Sequence, residues 1–123
     1  MPLSTRSEDE LVLLHNPRCS KSRAAYALLE ERGVPFRERR YLDEPLSIDE
    51  LQILAACLGR PAREWARRGE PAWEAAGLVD GTCSEAAILA AMAAHPVLIE
   101  RPILVRGARA VVGRPPERVL DLL

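Results

Sequence analysis

Leu11-Val12-Leu13-Leu14 is an unbroken apolar run, ended at once by His15-Asn16-Pro17, with Cys19 following at the mouth of an amphipathic segment. Four consecutive apolar residues suit a strand buried on both faces, because alternate side chains point to opposite sides of a sheet. Ser20 to Arg32 reads as a helix with Ala24, Ala25, Leu28 and Leu29 on one face, and Gly33 stops it. Val34 to Tyr41 carries the alternation of a second strand. This order predicts a β-α-β unit with parallel strands and a right-handed crossover.

Pro45 and Ser47 open a second helical region with Asp49-Glu50 in its first turn, running through Leu51, Leu54 and Leu58 to Gly59. Pro61 starts a further short helix carrying Trp65, and Glu70 to Gly77 adds a turn or two. Ser84 caps a last interior helix in which Ile88, Leu89 and Met92 recur at helical spacing. Ile103-Leu104-Val105 and Ala110-Val111-Val112 read as strands joined around Arg106-Gly107-Ala108-Arg109, a hairpin with glycine in the turn. Pro115-Pro116 then leads a C-terminal helix to Leu122 or Leu123. Strand-helix-strand, several helices, then strand-strand-helix is the plan of an α/β thioredoxin-like fold. It predicts a mixed four-stranded sheet and one domain over residues 1–123, with a helical insertion at about 46–95 between the βαβ and ββα halves.

Composition removes several function classes. The 17 basic and 18 acidic side chains leave a net charge of −1, and aromatics are only 4%. Neither an electrostatic footprint for nucleic acid or acidic lipid nor a set of stacking platforms is present. Apolar runs fall far short of the ~20 residues a membrane helix needs, and Met1 to Glu10 is unlike a signal peptide. Cys19, Cys57 and Cys83 are an odd number with no C-x-x-C, which predicts free thiols in a reducing, cytoplasmic compartment. His15 and His95 do not cluster with cysteines or carboxylates, so no metal site is expected.

Cys19 is the residue with chemistry. It stands where a helix begins, where backbone N–H groups are unpaired and the helix dipole favours negative charge. Arg18, Lys21 and Arg23 add positive charge nearby in sequence, Ser22 adds a hydroxyl able to donate to an anion, and His15 lies at the strand end. These features all lower a thiol's pKa and make it a usable nucleophile. An oxyanion suits such a site, because helix-terminal amides bind anions and arginines complete the cage. Arg67, Arg101 and Arg114 each lie beside a turn or proline and are candidates. Cys57 and Arg63 satisfy the C-x5-R spacing of tyrosine-phosphatase loops, but Cys57 ends a helix rather than following a buried strand, and Pro61 interrupts the would-be cradle of amides.

The segment His15-Asn16-Pro17-Arg18-Cys19-Ser20-Lys21-Ser22-Arg23 resembles the H-N-P-x-C-x-x-S-R active-site segment of glutaredoxin-coupled arsenate reductases. Further motifs follow in order: Tyr41-Leu42-Asp43-Glu44-Pro45, Glu74-Ala75-Ala76-Gly77-Leu78, His95 through Ile103, and Gly113-Arg114-Pro115-Pro116-Glu117. The similarity runs from Leu11 to Leu123 and is greatest to a shorter, reductase-related branch without a long C-terminal tail.

The resemblance implies that Cys19 attacks arsenate or a similar oxyanion to form an adduct. Glutathione then adds as cosubstrate, glutaredoxin resolves the mixed species, and arsenite leaves, with no bound cofactor. It implies that Arg67, Arg101 and Arg114 bind the oxyanion, with Arg68 competing for the role of Arg67. His15, Asn16, Ser22 and Arg23 match supporting residues, and Pro102 matches a proline that is cis in thioredoxin folds. Cys83 matches no motif and is either a packed thiol or a resolving partner for Cys19. Two other readings stand beside reduction of arsenate: a thiol oxidoreductase acting on another substrate, and a module of the related branch that binds RNA polymerase. That branch senses redox state through a C-x-x-C pair, and Ser22 stands here where its second cysteine belongs.

Overall fold

A computed structural model describes residues 10–78 and 82–123. Residues 1–9, on which the signal-peptide reading falls, lie outside the described part. β1 (Leu11–Leu14) is flanked by β2 (Arg37–Arg39) and β3 (Ile103–Arg106), and β4 (Arg109–Val112) closes the order β2-β1-β3-β4. β1 pairs parallel with β2 and antiparallel with β3, and β3 pairs antiparallel with β4. The sheet is therefore mixed and four-stranded, as the element order predicts.

The continuous apolar run of β1 is explained by two covered faces. Val12 and Leu14, with Ile103 and Val105, join the larger core beneath α2 (Ile48–Leu58) and α4 (Glu85–Ala94). Leu11 and Leu13, with Leu104, pack against Ala25 and Leu29 of α1 (Ser20–Glu31) and against Val119 and Leu122. Period-two alternation thus feeds two cores from one strand.

Several boundaries differ from the sequence reading. β2 is three residues, not Val34 to Tyr41: Pro35 offers no N–H, and amides of Asp43 and Glu44 close a turn onto the Arg40 carbonyl. That turn drives Tyr41 into the core, where it is 1% exposed. The hairpin is tighter than expected, since Arg106 pairs with Arg109 and only Gly107-Ala108 remain in the loop. Gly107 has φ +59°, a left-handed conformation that glycine adopts without strain. The C-terminal segment is a 3-10 helix over Pro116–Leu122. Its three-residue repeat puts Pro116, Val119 and Leu122 on one buried face, which a 3.6-residue period would smear around the axis.

Between β2 and β3 the chain is helical. α2 has a complete capping box between Ser47 and Glu50, and Gly59 ends it with φ +65°. A 3-10 turn (Ala62–Trp65), α3 (Pro71–Ala75), α4 and a second 3-10 turn (Pro96–Leu98) follow. Ala66 and Ile99 form a bridge, flanked by Arg67 N–H to Leu98 O at 2.7 Å and Glu100 N–H to Trp65 O at 3.0 Å. This short ladder holds the chain before β3 beside the chain after Trp65, and so brings Arg67 and Arg101 together.

Candidate active site

The break after β1 is a built loop. The Asn16 side-chain oxygen accepts from the Arg18 amide at 3.0 Å, and the Cys19 amide donates to the Asn16 carbonyl at 3.0 Å. Cys19 is the N-cap residue of α1, in extended backbone with φ −95° and ψ 125°, so the amides of the helix's first turn face its sulfur.

Ser22 and His15 are turned inward. The Ser22 oxygen accepts from the Asn16 amide at 3.0 Å and lies 2.7 Å from His15 Nδ1. Ser22 is fully buried, so its hydroxyl fixes the loop to the helix instead of donating to a bound anion as its sequence position suggested. Burial is the largest influence on His15 and holds its pKa below the ordinary value; Glu38 opposes this, while Arg40 and Arg23 reinforce it. His15 is consequently a neutral strut against Tyr26, at 5.0 Å between ring centres, and not a cation beside the thiolate. Arg23 donates to the Pro17 carbonyl at 3.1 Å and braces the loop from outside.

Burial pushes the Cys19 thiol up, but the Ser22 amide, the Arg101 charge, the Lys21 amide and an Arg101 side-chain hydrogen bond outweigh it. The net shift is downward from 9.0. The cation that acts on this sulfur therefore comes from the far half of the chain, through the Arg101-Pro102 segment, whose peptide bond is cis. Arg114-Pro115 is cis as well, which nothing in the sequence suggested.

Arg67, Arg101 and Arg114 line one cavity of about 550 Å³, together with Arg68, Glu70 and Glu100. Arg101 belongs to both parts of the site, facing Cys19 and the cavity. Its Nε is buried and has no hydrogen-bond partner among the described residues. Arg67 is held by Glu70 at 2.7 Å, which distinguishes it from Arg68. Arg114 donates to Glu100 at 3.0 Å and to the Arg101 carbonyl at 3.2 Å.

Sequence reasoning gave no role to two residues of this neighbourhood. The Tyr41 phenol is pushed up to about 12, chiefly by burial, and interacts with Arg101, Arg67, Cys19 and Glu100. It is a neutral donor at any working pH. Glu100, directly before Arg101, contacts two of the three arginines. Its role is set by the arginines that the fold brings to it, Arg101 and Arg114.

The other cysteines stand elsewhere. The Cys57 thiol is pushed up by burial and its sulfur lies 3.9 Å from the Gly107 carbonyl. Arg63 reaches Cys83, 3.2 Å from its sulfur and 3.1 Å from its carbonyl, so Cys57 and Arg63 do not form a phosphatase cradle. All three thiols are free. Among the described residues no group of His, Cys, Asp and Glu could hold a metal ion, and no helix is long and apolar enough to cross a membrane.

A profile of the ArsC family matches residues 14–122. The chain is 43% identical over 115 residues to a Neisseria meningitidis serogroup A protein named arsenate reductase, covering 93% of this chain and 98% of that relative. It is 42% identical to the Escherichia coli K12 protein YfgD, covering 93% and 97%. Among solved structures, an arsenate reductase from Vibrio cholerae superposes with a TM-score of 0.89 at 44% identity, covering 94% of this chain and 98% of that one.

Proposed function

This chain belongs to the ArsC family, and on that premise we propose that it is an arsenate reductase that works through Cys19 with glutathione and glutaredoxin as reductants. The observation that carries this reading is the Cys19 sulfur, lowered in pKa by two helix amides and by Arg101, which also borders the arginine cavity.

The Cys19 thiolate attacks the arsenic of arsenate, and an S–As(V) bond forms as one oxygen leaves as water after protonation. Glutathione displaces a second oxygen as water, which places two sulfurs on the arsenic. A glutaredoxin thiolate then attacks the glutathione sulfur. The electron pair of the As–S bond to glutathione stays on arsenic, reducing As(V) to As(III), while a glutaredoxin–glutathione disulfide forms. Water hydrolyses the remaining S–As(III) bond, releasing arsenite and restoring the thiol. Arg67, Arg101 and Arg114 neutralise the oxyanion and orient it for attack by Cys19. The electrons come from thiols, so no resident cofactor is required, and the dependence on glutathione assigns the protein to the reducing cytoplasm.

The test is arsenite production from arsenate with glutathione and glutaredoxin supplied. Activity is expected in the wild type and in Cys57→Ser and lost in Cys19→Ser. Omitting glutaredoxin, or replacing it with thioredoxin, is expected to lower the rate. Undiminished turnover by Cys19→Ser would refute the reading.

A further inference from the structure

Glu100 binds its arginines through one atom. Its Oε1 accepts from Arg114 Nη1 at 3.0 Å, from the Arg101 amide at 3.2 Å and from Arg101 Nη1 at 3.4 Å. Its Oε2 makes no hydrogen bond among the described residues, and the residue lines the cavity that Arg67, Arg101 and Arg114 surround. The glutamate backbone is itself held by the Trp65 carbonyl, which fixes the carboxylate on the seam between two arginines. An anion bridging Arg101 and Arg114 meets this carboxylate.

An ionised carboxylate only accepts hydrogen bonds. An oxyanion that still carries an acidic hydrogen donates it to the carboxylate in a short, charge-assisted bond. A fully deprotonated oxyanion brings a second negative oxygen into the same contact with no hydrogen between, and the repulsion disfavours binding. Arsenate and phosphate keep a hydrogen at neutral pH, whereas sulfate has none.

We propose that Glu100 is a specificity-determining residue: its free Oε2 accepts the hydrogen of a bound HO–As or HO–P group while Arg101 and Arg114 hold the other oxygens, so the cavity takes hydrogen arsenate or phosphate and rejects sulfate. This rests on the cavity being the oxyanion site, but not on turnover. Glu70 is the built-in comparison. It is a carboxylate of the same cavity, but among the described residues its ion pair is with Arg67 alone.

The experiment titrates the native protein with inorganic phosphate and with sulfate at constant ionic strength and neutral pH. It follows the Nε–Hε resonances of Arg101 and Arg114 by NMR. Phosphate is expected to shift them at a concentration at least about tenfold lower than sulfate, the scale of one charged hydrogen bond. Glu100→Gln, whose amide can donate to sulfate, is expected to bring the ratio close to one, and Glu70→Gln to preserve it. Sulfate matching phosphate in the wild type, neither anion shifting these resonances, or equal relaxation in Glu70→Gln would each overturn the proposal. The wild-type ratio decides even if a variant fails to fold. Arsenite production is measured separately, so a protein that reduces arsenate yet lacks this selectivity refutes only the role of Glu100.

Discussion

The Ser22 hydroxyl oxygen lies 2.7 Å from Nδ1 of His15, and neither side chain has more than marginal contact with solvent. The same oxygen accepts from the Asn16 amide, so one hydroxyl ties the end of β1, the loop before Cys19 and the first turn of α1. Replacing Ser22 with alanine strands a ring nitrogen and a backbone amide together. A loss of about 1–3 kcal/mol is expected in urea unfolding, accompanied by slower alkylation of Cys19 as the loop loosens.

His15 makes stability depend on pH in a definite direction. Its native pKa is lowered by burial below 6.5, so the unfolded chain binds the proton first. The stability due to the neutral ring is therefore complete above 6.5 and is lost as pH falls from there through the lowered native value. Urea midpoints measured from pH 7.5 down to 5 should decline more steeply in the wild type than in His15→Asn. Equal slopes would contradict the burial argument.

Gly113 tests how closely the last strand presses on the site. A Cβ there would lie 2.9 Å from Pro102 Cγ and 2.9 Å from Val119 Cγ1. The proline ring cannot swing aside, and it directly follows Arg101. Gly113→Ala is expected to cost about 1–3 kcal/mol and to reduce arsenate turnover by displacing Arg101. A variant with unchanged stability and unchanged rate would show that the contact relaxes at no cost.

Arg39 is a buried cation at the end of β2, forked onto Glu50 at 3.0 and 3.2 Å and bonded to the Glu44 and Pro45 carbonyls. Glu50→Ala removes the counter-charge and half of the α2 capping box. A loss of about 2–4 kcal/mol is expected from unfolding curves, somewhat less than for a fully buried pair because Glu50 is partly exposed.

Local pattern carried most of the fold. The Leu11–Leu14 run, the Ser47 and Ser84 caps and the glycines at 33, 59 and 107 mark element ends through backbone chemistry that needs no tertiary knowledge. Pro35 and the turn after Arg40 shortened β2 through local backbone bonding that the alternation of Val34 to Tyr41 masks, whereas the packing of Val119 and Leu122 on Leu104, distant in sequence, selected a 3-10 helix. The site divides in the same way. Cys19 is legible because strand, break and helix start adjoin in the chain. Arg67, Arg101 and Arg114 were found by motif, whereas the partners that orient them, Glu70 and Glu100, emerge only from the fold. Of the positive charges next to Cys19 in sequence, Arg23 turns to the Pro17 carbonyl, and the guanidinium that lowers the thiol is that of Arg101. Burial likewise neutralised His15, which sequence spacing cannot reveal.

The central claim is that helix amides and Arg101 lower the pKa of the Cys19 thiol, and the pH dependence of its alkylation rate measures this directly. The account expects a midpoint below 9.0 for Cys19 and above 9.0 for Cys57, with Arg101→Gln moving the Cys19 midpoint upward. A Cys19 midpoint at or above 9.0, or one indifferent to Arg101, would contradict it.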